Sequence, residues 1–357
     1  MSTEYYRGNP FRGIFLPNST NELLDVAFKR AKRVSPPGGI RLHPLKKVKS
    51  EAIESIKAFG EYLSNKLYEI VKKMPSVEKL HPFYSSIMEL WLSKDDYKRY
   101  IGKIHGAAQL IHRMTKDFII RIRSVQKERE DEPVRKVIIR VKQIRKEAYG
   151  RISSVVKSLE KEISALRELV KRMKKLPDYD PSLPTIVVAG PPNTGKSSFV
   201  KAVSNAKVEI ASYPFTTKNI TFGHIEFREK DLPIGRAQIA DTPGIFDRPL
   251  EERNEIELLA INAIKTIPDI IIFMFDVSTE AALTPEEQIN VFKTVDSFFG
   301  ERKMVLALNK IDIVDDNVLK ILKKFSVLTG YPVFEISVLK RINIDKLMEY
   351  IRKILFP

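Results

Sequence analysis

Apolar residues recur at three- and four-residue steps through the first half of the chain, a period typical of helices that bury one face. One such stripe covers 45–74 and ends at Pro75. Its predicted inward positions are Val48, Ala52, Ile56, Phe59, Leu63, Leu67, Ile70 and Met74. The same pattern predicts shorter helices at about 19–34 and 83–92.

Two more long helices are predicted in this half of the chain. One covers about 93–127 and carries Asp95 and Asp96 in its first turn, where carboxylates complement the helix dipole. The other is predicted to run unbroken from 133 to about 175, with these residues inward: Val137, Ile144, Ile152, Val156, Leu159, Ile163, Leu166 and Val170. Three long helices of this kind predict an antiparallel bundle or a helical hairpin.

Two glycines, Gly102 and Gly106, lie one turn apart within the predicted 93–127 helix. Glycine is unfavourable inside a helix, so a pair of them needs a reason. Because a residue without a side chain lets another backbone approach closely, we expect this pair to lie at a contact between helices.

The pattern changes after the stretch 176–184, LPDYDPSLP, whose three prolines interrupt the helical period and predict a linker. Beyond it, short apolar runs alternate with amphipathic segments, which favours an α/β domain with a mostly parallel sheet. The six predicted strands are TIVVAG, ITFGHIEF, AQIAD, IIIFMFDV, KMVLALN and VFEIS. We therefore predict a helical bundle at 1–175 and an α/β domain at 185–357.

Charge is divided unequally between the two halves. Residues 1–180 hold 39 Lys and Arg against 22 Asp and Glu, a net charge of +17, whereas the whole 357-residue chain carries +16. A half this basic indicates a polyanionic partner, either nucleic acid or an acidic membrane surface. RNA is favoured, because the apolar stripes of the helices are already needed to hold the bundle together.

The remaining composition excludes several classes of site. There is no cysteine, so disulfides and thiolate metal sites are excluded, and the five histidines lack metal-ligand spacing. No apolar run approaches the length of a membrane span, and no leader segment is visible. We expect a soluble, cytoplasmic monomer that binds neither membrane nor DNA.

The motif GPPNTGKSS at 190–198 follows a predicted strand and begins a helix, which is the context of a phosphate-binding loop. Its glycines allow backbone N–H groups to face phosphates, and the helix N-terminus adds a favourable field. Lys196 is expected to reach the β- and γ-phosphates, and the Ser197 hydroxyl to bind Mg²⁺. The predicted ligand residues of this loop are Gly190, Pro191, Pro192, Asn193, Thr194, Gly195, Lys196, Ser197 and Ser198.

A second motif, NKID at 309–312, follows the strand KMVLAL and predicts guanine selectivity. The Asp312 carboxylate can accept the N1 and amino hydrogens of guanine, whereas adenine would leave it unmatched. Lys310 can lie over the base, and Asn309 can join this loop to the phosphate loop. The backbone N–H groups of Ser337 and Val338 are expected to face the guanine O6.

The predicted switch segments supply the remaining parts of a magnesium and γ-phosphate site. In DTPG (241–244), Asp241 is expected to hold Mg²⁺ through a water and the Gly244 N–H to contact the γ-phosphate. In SYPFTTKN (212–219), either Thr216 or Thr217 must supply a second magnesium hydroxyl, and Thr217 is favoured. The sequence thus predicts an α/β P-loop GTPase domain with a Ras-like, mixed, mostly parallel six-stranded sheet, using GTP/GDP and Mg²⁺.

Taken together, GPPNTGKSS, SYPFTT, DTPGIFDRPLEERN and NKID resemble the Obg–HflX superfamily of GTPases, and within it the nucleolar GTP-binding protein (Nog) family in a short, archaeal-type form. SKDDYKRYIGKIHGAAQLIHRMTKDF resembles the N-terminal helical domain of that family. The resemblance spans about residues 10–340. It implies a GTPase that acts in large ribosomal subunit assembly and binds ribosomal RNA and assembly intermediates through its basic helical domain.

Ile245 stands where Ras-like enzymes carry the glutamine that orients the attacking water. Slow intrinsic hydrolysis is therefore expected, and the predicted catalytic residues are Asn193, Lys196, Thr217 and Gly244. The resemblance implies that Asn193 helps to bind K⁺ beside the phosphates; the alternative is that it only shapes the loop. Two other functions remain open, an RNA-binding assembly factor with little GTP turnover and a membrane-surface signalling GTPase.

Overall fold

The computed structural model describes residues 4–34, 43–204, 209–211, 220–229, 232–241 and 255–357. These residues divide into two compact units. The helical unit contains 11–76 and 92–172, and the sheet unit contains 4–10, 77–91 and 173–357. One helix from the first half of the chain belongs to the sheet unit.

The helical unit is built from five helices with the predicted buried stripes. They are α1 (Thr20–Lys32), α2 (Pro44–Lys73), α4 (Lys94–Ser124), α5 (Val134–Lys157) and α6 (Glu160–Met173), with α3 (Pro82–Glu89) assigned to the sheet unit. Of the predicted inward positions on α2, all but Val48 are buried. Helix α4 begins as predicted, since the Ser93 hydroxyl accepts a hydrogen bond from the Asp96 N–H at 3.1 Å.

The predicted 133–175 helix is wrong in one respect, because it is interrupted between α5 and α6. The Leu159 N–H bonds to the Val156 carbonyl at 3.1 Å, a tight i to i−3 turn, and the Ser158 hydroxyl donates to the Val155 carbonyl at 2.8 Å. Hydroxyl competition of this kind allows the chain to leave the α-helical path without an intervening proline. The apolar period continues across the break, which is why the pattern did not indicate it.

The packing role predicted for Gly102 and Gly106 is also wrong. Both glycines are exposed, and a Cβ added at either would meet nothing within 4 Å. The close approach of α2 and α4 occurs instead at Gly60, where an added Cβ would lie 1.9 Å from Thr115 Oγ1. Gly60 belongs to the buried stripe of α2. The apolar pattern predicts that this position is buried, but it does not show that the backbones of two helices approach each other there.

The sheet unit contains seven strands among the described residues. They are β1 (Thr185–Ala189), β2 (Glu209–Ala211), β3 (Ile220–Glu229), β4 (Leu232–Asp241), β5 (Ile270–Asp276), β6 (Lys303–Asn309) and β7 (Val333–Ile336), in the order β2-β3-β4-β1-β5-β6-β7. The β2–β3 and β3–β4 pairs are antiparallel and the other pairs are parallel. The predicted mixed, mostly parallel sheet of six strands is confirmed, and the three-residue β2 adds a seventh at its edge.

Helices cover both faces of this sheet, which explains the continuous apolar runs of its central strands. They are α7 (Lys196–Val203), α8 (Glu255–Lys265), α9 (Pro285–Phe299), α10 (Asp316–Thr329) and α11 (Ile344–Leu355). One face packs under α7 and α11, and the other holds an aromatic cluster that includes Phe273, Phe292 and Phe325. No helix within the described ranges combines the length and apolar character that crossing a bilayer requires.

The predicted linker is a packed part of the sheet unit. Tyr179 is buried, and its N–H donates to the Tyr84 hydroxyl at 2.9 Å, which in turn donates to the Pro177 carbonyl at 2.8 Å. Gln238 on β4 exchanges two hydrogen bonds of 2.8 Å with the Asp180 backbone. Burial of two aromatic residues therefore outweighs the turn-forming composition of this stretch.

Candidate nucleotide-binding site

The predicted site residues follow the carboxyl ends of neighbouring strands, so the sheet register decides whether they meet. Val188 on β1 pairs with Asp241 on β4, Asp276 on β5 pairs with Asn309 on β6, and Asn309 pairs with Ile336 on β7. The phosphate loop, DTPG, NKID and Ser337 therefore all begin at one edge of the sheet. This edge is the place where open α/β sheets bind their ligands.

The phosphate loop leaves β1 in a conformation that its glycines permit. Gly190 has φ of 145° and Gly195 has φ of 96°, and Asn193 also has a positive φ of 62°. A Cβ at Gly190 would lie 2.4 Å from the Met274 carbonyl oxygen, and one at Gly195 would lie 2.6 Å from Asn309 Nδ2. Both positions thus require glycine for space as well as for backbone conformation.

Lys196 opens α7, and its side chain lies inside the loop. It is 7% exposed, and its Nζ donates to the Pro191 carbonyl at 2.6 Å. The Thr194 hydroxyl donates to the same carbonyl at 3.0 Å, so the loop is closed by two of its own side chains. A buried ammonium at a helix N-terminus creates a positive field that suits phosphate.

The Ser197 hydroxyl donates a hydrogen bond to Asp241 Oδ2. Asp241 is fully buried at the end of β4, and the strand register holds it beside the phosphate loop. A hydroxyl and a carboxylate in contact are oxygen donors of the kind that Mg²⁺ takes together with water and phosphate. These two predicted magnesium ligands therefore fit that ion.

Asn309 joins the two ends of the site. Its Nδ2 donates to the Thr194 carbonyl at 2.7 Å, and its Oδ1 accepts from the Val338 N–H at 3.1 Å. The predicted contact with the phosphate loop is present. The Val338 N–H donates to the Asn309 side chain, and its predicted contact with the guanine O6 stays a prediction. The Ser337 hydroxyl accepts from the Lys340 N–H at 3.0 Å and shapes the same turn.

Lys310 is held by a residue that the sequence did not single out. Its backbone is left-handed, with φ of 70°, and its Nζ lies 2.6 Å from Asp276 Oδ2. The other carboxylate oxygen, Oδ1, accepts from the Ser278 N–H at 2.9 Å and the Ser278 hydroxyl at 2.7 Å. Asp312 is half-buried on the 3₁₀ turn that follows Lys310.

Gln288 on α9 fixes Asp276 from the opposite side. Its Oε1 accepts from the Asp276 N–H and its Nε2 donates to the Asp276 carbonyl, each at 2.9 Å. Gln288, Asp276 and Ser278 are all at most 2% exposed, so these contacts are shielded from water. Asp276 could have been predicted as a site residue, because it is an acidic residue directly after the apolar run IIIFMF. No local sequence pattern indicated Gln288.

The switch residues lie outside the described part of the chain. This applies to Thr216 and Thr217 in the first predicted switch, and to Gly244 and Ile245 in the second. Their predicted roles with magnesium, γ-phosphate and water stay predictions. The described residues contribute the phosphate loop, Asp241 and the predicted base-binding loops.

Comparisons with known families divide the chain between two models. A family described as the NOG1 N-terminal helical domain matches residues 11–180. A family described as 50S ribosome-binding GTPase matches residues 185–310, which include the phosphate loop, DTPG, Asn309 and Lys310.

Individual relatives cover both halves. An uncharacterized protein of Methanocaldococcus jannaschii is 34% identical over 87% of this chain and 83% of its own length. Nucleolar GTP-binding protein 1 of Encephalitozoon cuniculi is 32% identical over 91% of this chain and 58% of its own. The chain spans about half the length of the nucleolar relatives it matches, for example 42% of the Caenorhabditis elegans protein. A crystal structure of nucleolar GTP-binding protein 1 from Plasmodium falciparum covers 50% of this chain and 90% of its own, with 34% identity and a TM-score of 0.42.

Proposed function

Because the chain belongs to the family of nucleolar GTP-binding protein 1, we propose that it is a GTP-binding and GTP-hydrolysing switch in large ribosomal subunit assembly. Nucleotide binding is supported above all by the hydrogen bonds of the Asn309 carboxamide, which joins the phosphate loop to the 337–338 turn. A site whose phosphate and base ends are joined in this way suits a nucleotide better than a phosphate alone.

In this proposal each described residue has a defined task at the nucleotide. The backbone N–H groups of 190–195 and the Lys196 ammonium bind the phosphates, and Asp312 selects guanine over adenine. Lys310 lies over the base plane, in a position set by Asp276. Ser197, and Asp241 through a water, would hold Mg²⁺, which would supply charge neutralisation at the phosphates.

Hydrolysis is proposed to be slow until a partner completes the site, because Ile245 cannot hold a water by a hydrogen bond. Asn193 is proposed to help bind K⁺ beside the phosphates, where a cation could act as an arginine finger does. Thr217 and Gly244 are the proposed switch contacts. GTP would then keep the switches ordered, and hydrolysis on the assembling particle would release them.

The proposed partner is ribosomal RNA, bound through the basic half of the chain. Support comes from the net charge of +17 in residues 1–180 and from the nucleolar names of the relatives. RNA bound largely through phosphates would dissociate steeply with added salt. A cytoplasmic monomer without membrane or DNA partners remains our expectation for this chain.

The nucleotide proposal is tested with purified full-length protein by calorimetry and a turnover assay. We expect GTP and GDP to bind and ATP not to bind, and Lys196→Ala to lower GTP affinity or turnover at least 100-fold. Lys201→Ala, which removes an exposed lysine from the same helix, is the matched control and should leave both unchanged. Equal affinity for ATP and GTP, or a fully active Lys196→Ala protein, would refute the site assignment.

The switch proposal is tested by turnover in KCl against NaCl, with and without ribosomal RNA. Turnover is expected to be low alone, higher in K⁺ than in Na⁺, and stimulated by pre-ribosomal particles. Equal rates in both salts would remove the role of Asn193 in K⁺ binding. A fast rate without a partner would refute the switch, and no turnover even on particles would leave an assembly factor that binds GTP without hydrolysing it.

A further inference from the structure

One cationic surface of the helical unit lies along the seam between α2 and α4. These helices are antiparallel, as three contacts show: the Lys49 ammonium bonds to the Arg123 carbonyl at 3.2 Å, Gly60 meets Thr115, and the Tyr68 ring stacks edge-on with His105, with centroids 5.5 Å apart. The solvent side of this seam is therefore lined by residues of both helices in a known register.

Cationic side chains form a row on each side of the seam. Lys57 and Lys72 are exposed on α2, one turn before Gly60 and one turn after Tyr68, about 22 Å apart along the helix axis. Lys116 and Arg113 are exposed on α4 near the same closest contact. Positions 97–116 of α4 contain no Asp or Glu; Asp117 follows Lys116, and on α2 the exposed Glu61 lies one turn after Lys57.

Polar side chains lie beside these cations along the seam and form a polar strip. It contains His105, Gln109 and His112 on α4, and Tyr68 on α2. These groups can donate and accept hydrogen bonds, as 2′-hydroxyl groups require of a protein surface. Gly106 follows His105 on the exposed side of α4, one turn before Gln109 and with open space above it, so a partner can approach the helix backbone there.

Two other surfaces of this unit fit a polyanion less well. The groove between α1 and α2 is lined by Lys66 and Lys73, but each lies 2.6 Å from Glu69, and these hydrogen bonds lower the pKa of that carboxyl to about 2. The groove is thus largely neutralised from within.

The outer face of α5 is another cationic surface. It carries Lys142, Lys146 and Lys157 in a single row, together with the half-exposed apolar Ile139. A single row on one helix can follow one phosphate strand, whereas two rows on adjacent helices, about 8–10 Å between axes, can follow two.

We propose that the α2–α4 seam is a docking surface for double-helical RNA, with Lys57, Lys72 and Lys116 contacting phosphates on both sides of the shallow minor groove. Shape-based recognition of an RNA duplex uses phosphates and 2′-hydroxyl groups across that groove, as the two rows and the polar strip allow. The inference rests on the proposed RNA-binding function and names the surface and the kind of RNA.

A charge test compares two triple variants of the full-length protein. Lys57→Gln, Lys72→Gln and Lys116→Gln together remove three charges from the seam, and Lys142→Gln, Lys146→Gln and Lys157→Gln remove three from α5. Binding of a 20-base-pair RNA duplex is measured between 50 and 300 mM KCl. The seam triple should weaken binding about 100-fold at 0.15 M salt and reduce the salt slope by about 3, while the α5 triple should change the slope by less than 1.

A steric test leaves the charge unchanged. Gly106→Trp places a large side chain beside the polar strip, one turn before Gln109, and Gly150→Trp places one on the outer face of α5. Added Cβ atoms at both positions meet nothing within 4 Å, so both variants should fold. We expect Gly106→Trp to weaken duplex binding at least tenfold and Gly150→Trp to leave it unchanged. Helical content and thermal midpoint, measured by circular dichroism, verify folding.

The outcomes separate this inference from the function on which it rests. If wild-type protein binds the duplex but the α5 variants weaken it more than the seam variants, the surface is misassigned and RNA binding stands. If single-stranded RNA or a DNA duplex of the same sequence binds equally well, the preference for double-helical RNA is refuted. If the wild-type protein ignores RNA at 50 mM salt, or vesicles of anionic phospholipid displace the duplex, the RNA-binding proposal fails as well.

Discussion

Asp276→Asn is the most informative change at the base end of the site. Asp276 uses its two oxygens for different partners, Oδ2 for the Lys310 ammonium at 2.6 Å and Oδ1 for both donors of Ser278. An amide of the same shape can keep its Oδ1 on Ser278 while its NH₂ group faces Lys310. The substitution therefore removes one interaction and leaves the local backbone intact.

The magnitude follows from the burial of the pair. Asp276 is 3% and Lys310 is 26% exposed at the side chain, so water screens the contact poorly. A hydrogen bond to a charged group contributes about 1.5–3 kcal/mol. If that free energy holds Lys310 in position for the base, the competent population falls without it, and the apparent Kd rises about 10- to 100-fold.

The assay is GDP affinity by calorimetry, with thermal unfolding as the test of folding. Glu335→Gln is the matched control, because it removes a carboxylate from the exposed Lys323–Glu335 pair in the same unit. We expect GDP affinity to fall 10- to 100-fold in Asp276→Asn and to stay within about twofold in Glu335→Gln. A folded Asp276→Asn protein with wild-type GDP affinity would show that Lys310 does not depend on Asp276.

Three further predictions concern base choice, helix packing and pH. Asp312→Asn should weaken GTP binding and shift preference toward a xanthine base, and unchanged GTP affinity would mean that the guanine pocket is elsewhere. Gly106→Ala should stabilise the helical unit by about 1 kcal/mol, whereas Gly60→Ala should destabilise it because its Cβ would overlap Thr115; urea unfolding that ranks the two alike would contradict the packing described. Burial lowers the pKa of His81 to about 4, so between about pH 6.5 and 4 the unfolded chain binds a proton that the folded chain does not. The free energy of unfolding should therefore decrease as the pH is lowered through that window in the wild type, and decrease less in His81→Asn. Equal pH dependence of the two proteins would argue against a buried neutral imidazole.

The nucleotide site was largely predictable because its residues lie in short, local motifs at strand ends. Gly190 and Gly195 adopt positive φ angles, which favour glycine in any protein. An acidic residue two positions after Lys310 indicates guanine because its carboxylate can accept hydrogen bonds from that base. Strand order is set by the apolar runs and their connections, so Asp241 and Asn309 arrive at the same edge once the sheet forms.

The features missed by the sequence depend on shape and on distant partners. Gly60 faces Thr115 of α4, whereas Gly106 lies on the exposed side of its helix, and residue type alone does not distinguish the two. The hydrogen bond from the Val338 N–H to Asn309 Oδ1 joins residues 29 positions apart, which no local sequence pattern indicates. Gln288 hydrogen-bonds to Asp276, twelve positions away, and helix or strand periodicity does not predict contacts at that separation.

The single carboxamide of Asn309 has a consequence for how substitutions combine. Since it holds a phosphate-loop carbonyl with one atom and the 337–338 turn with the other, a disturbance at either terminus of the pocket displaces the opposite one. Paired substitutions, one in each loop, should therefore depart from additivity in a double-mutant cycle, even where the two altered side chains never touch. Nucleotide fragments should behave likewise, with guanosine and pyrophosphate each improving the capture of the other.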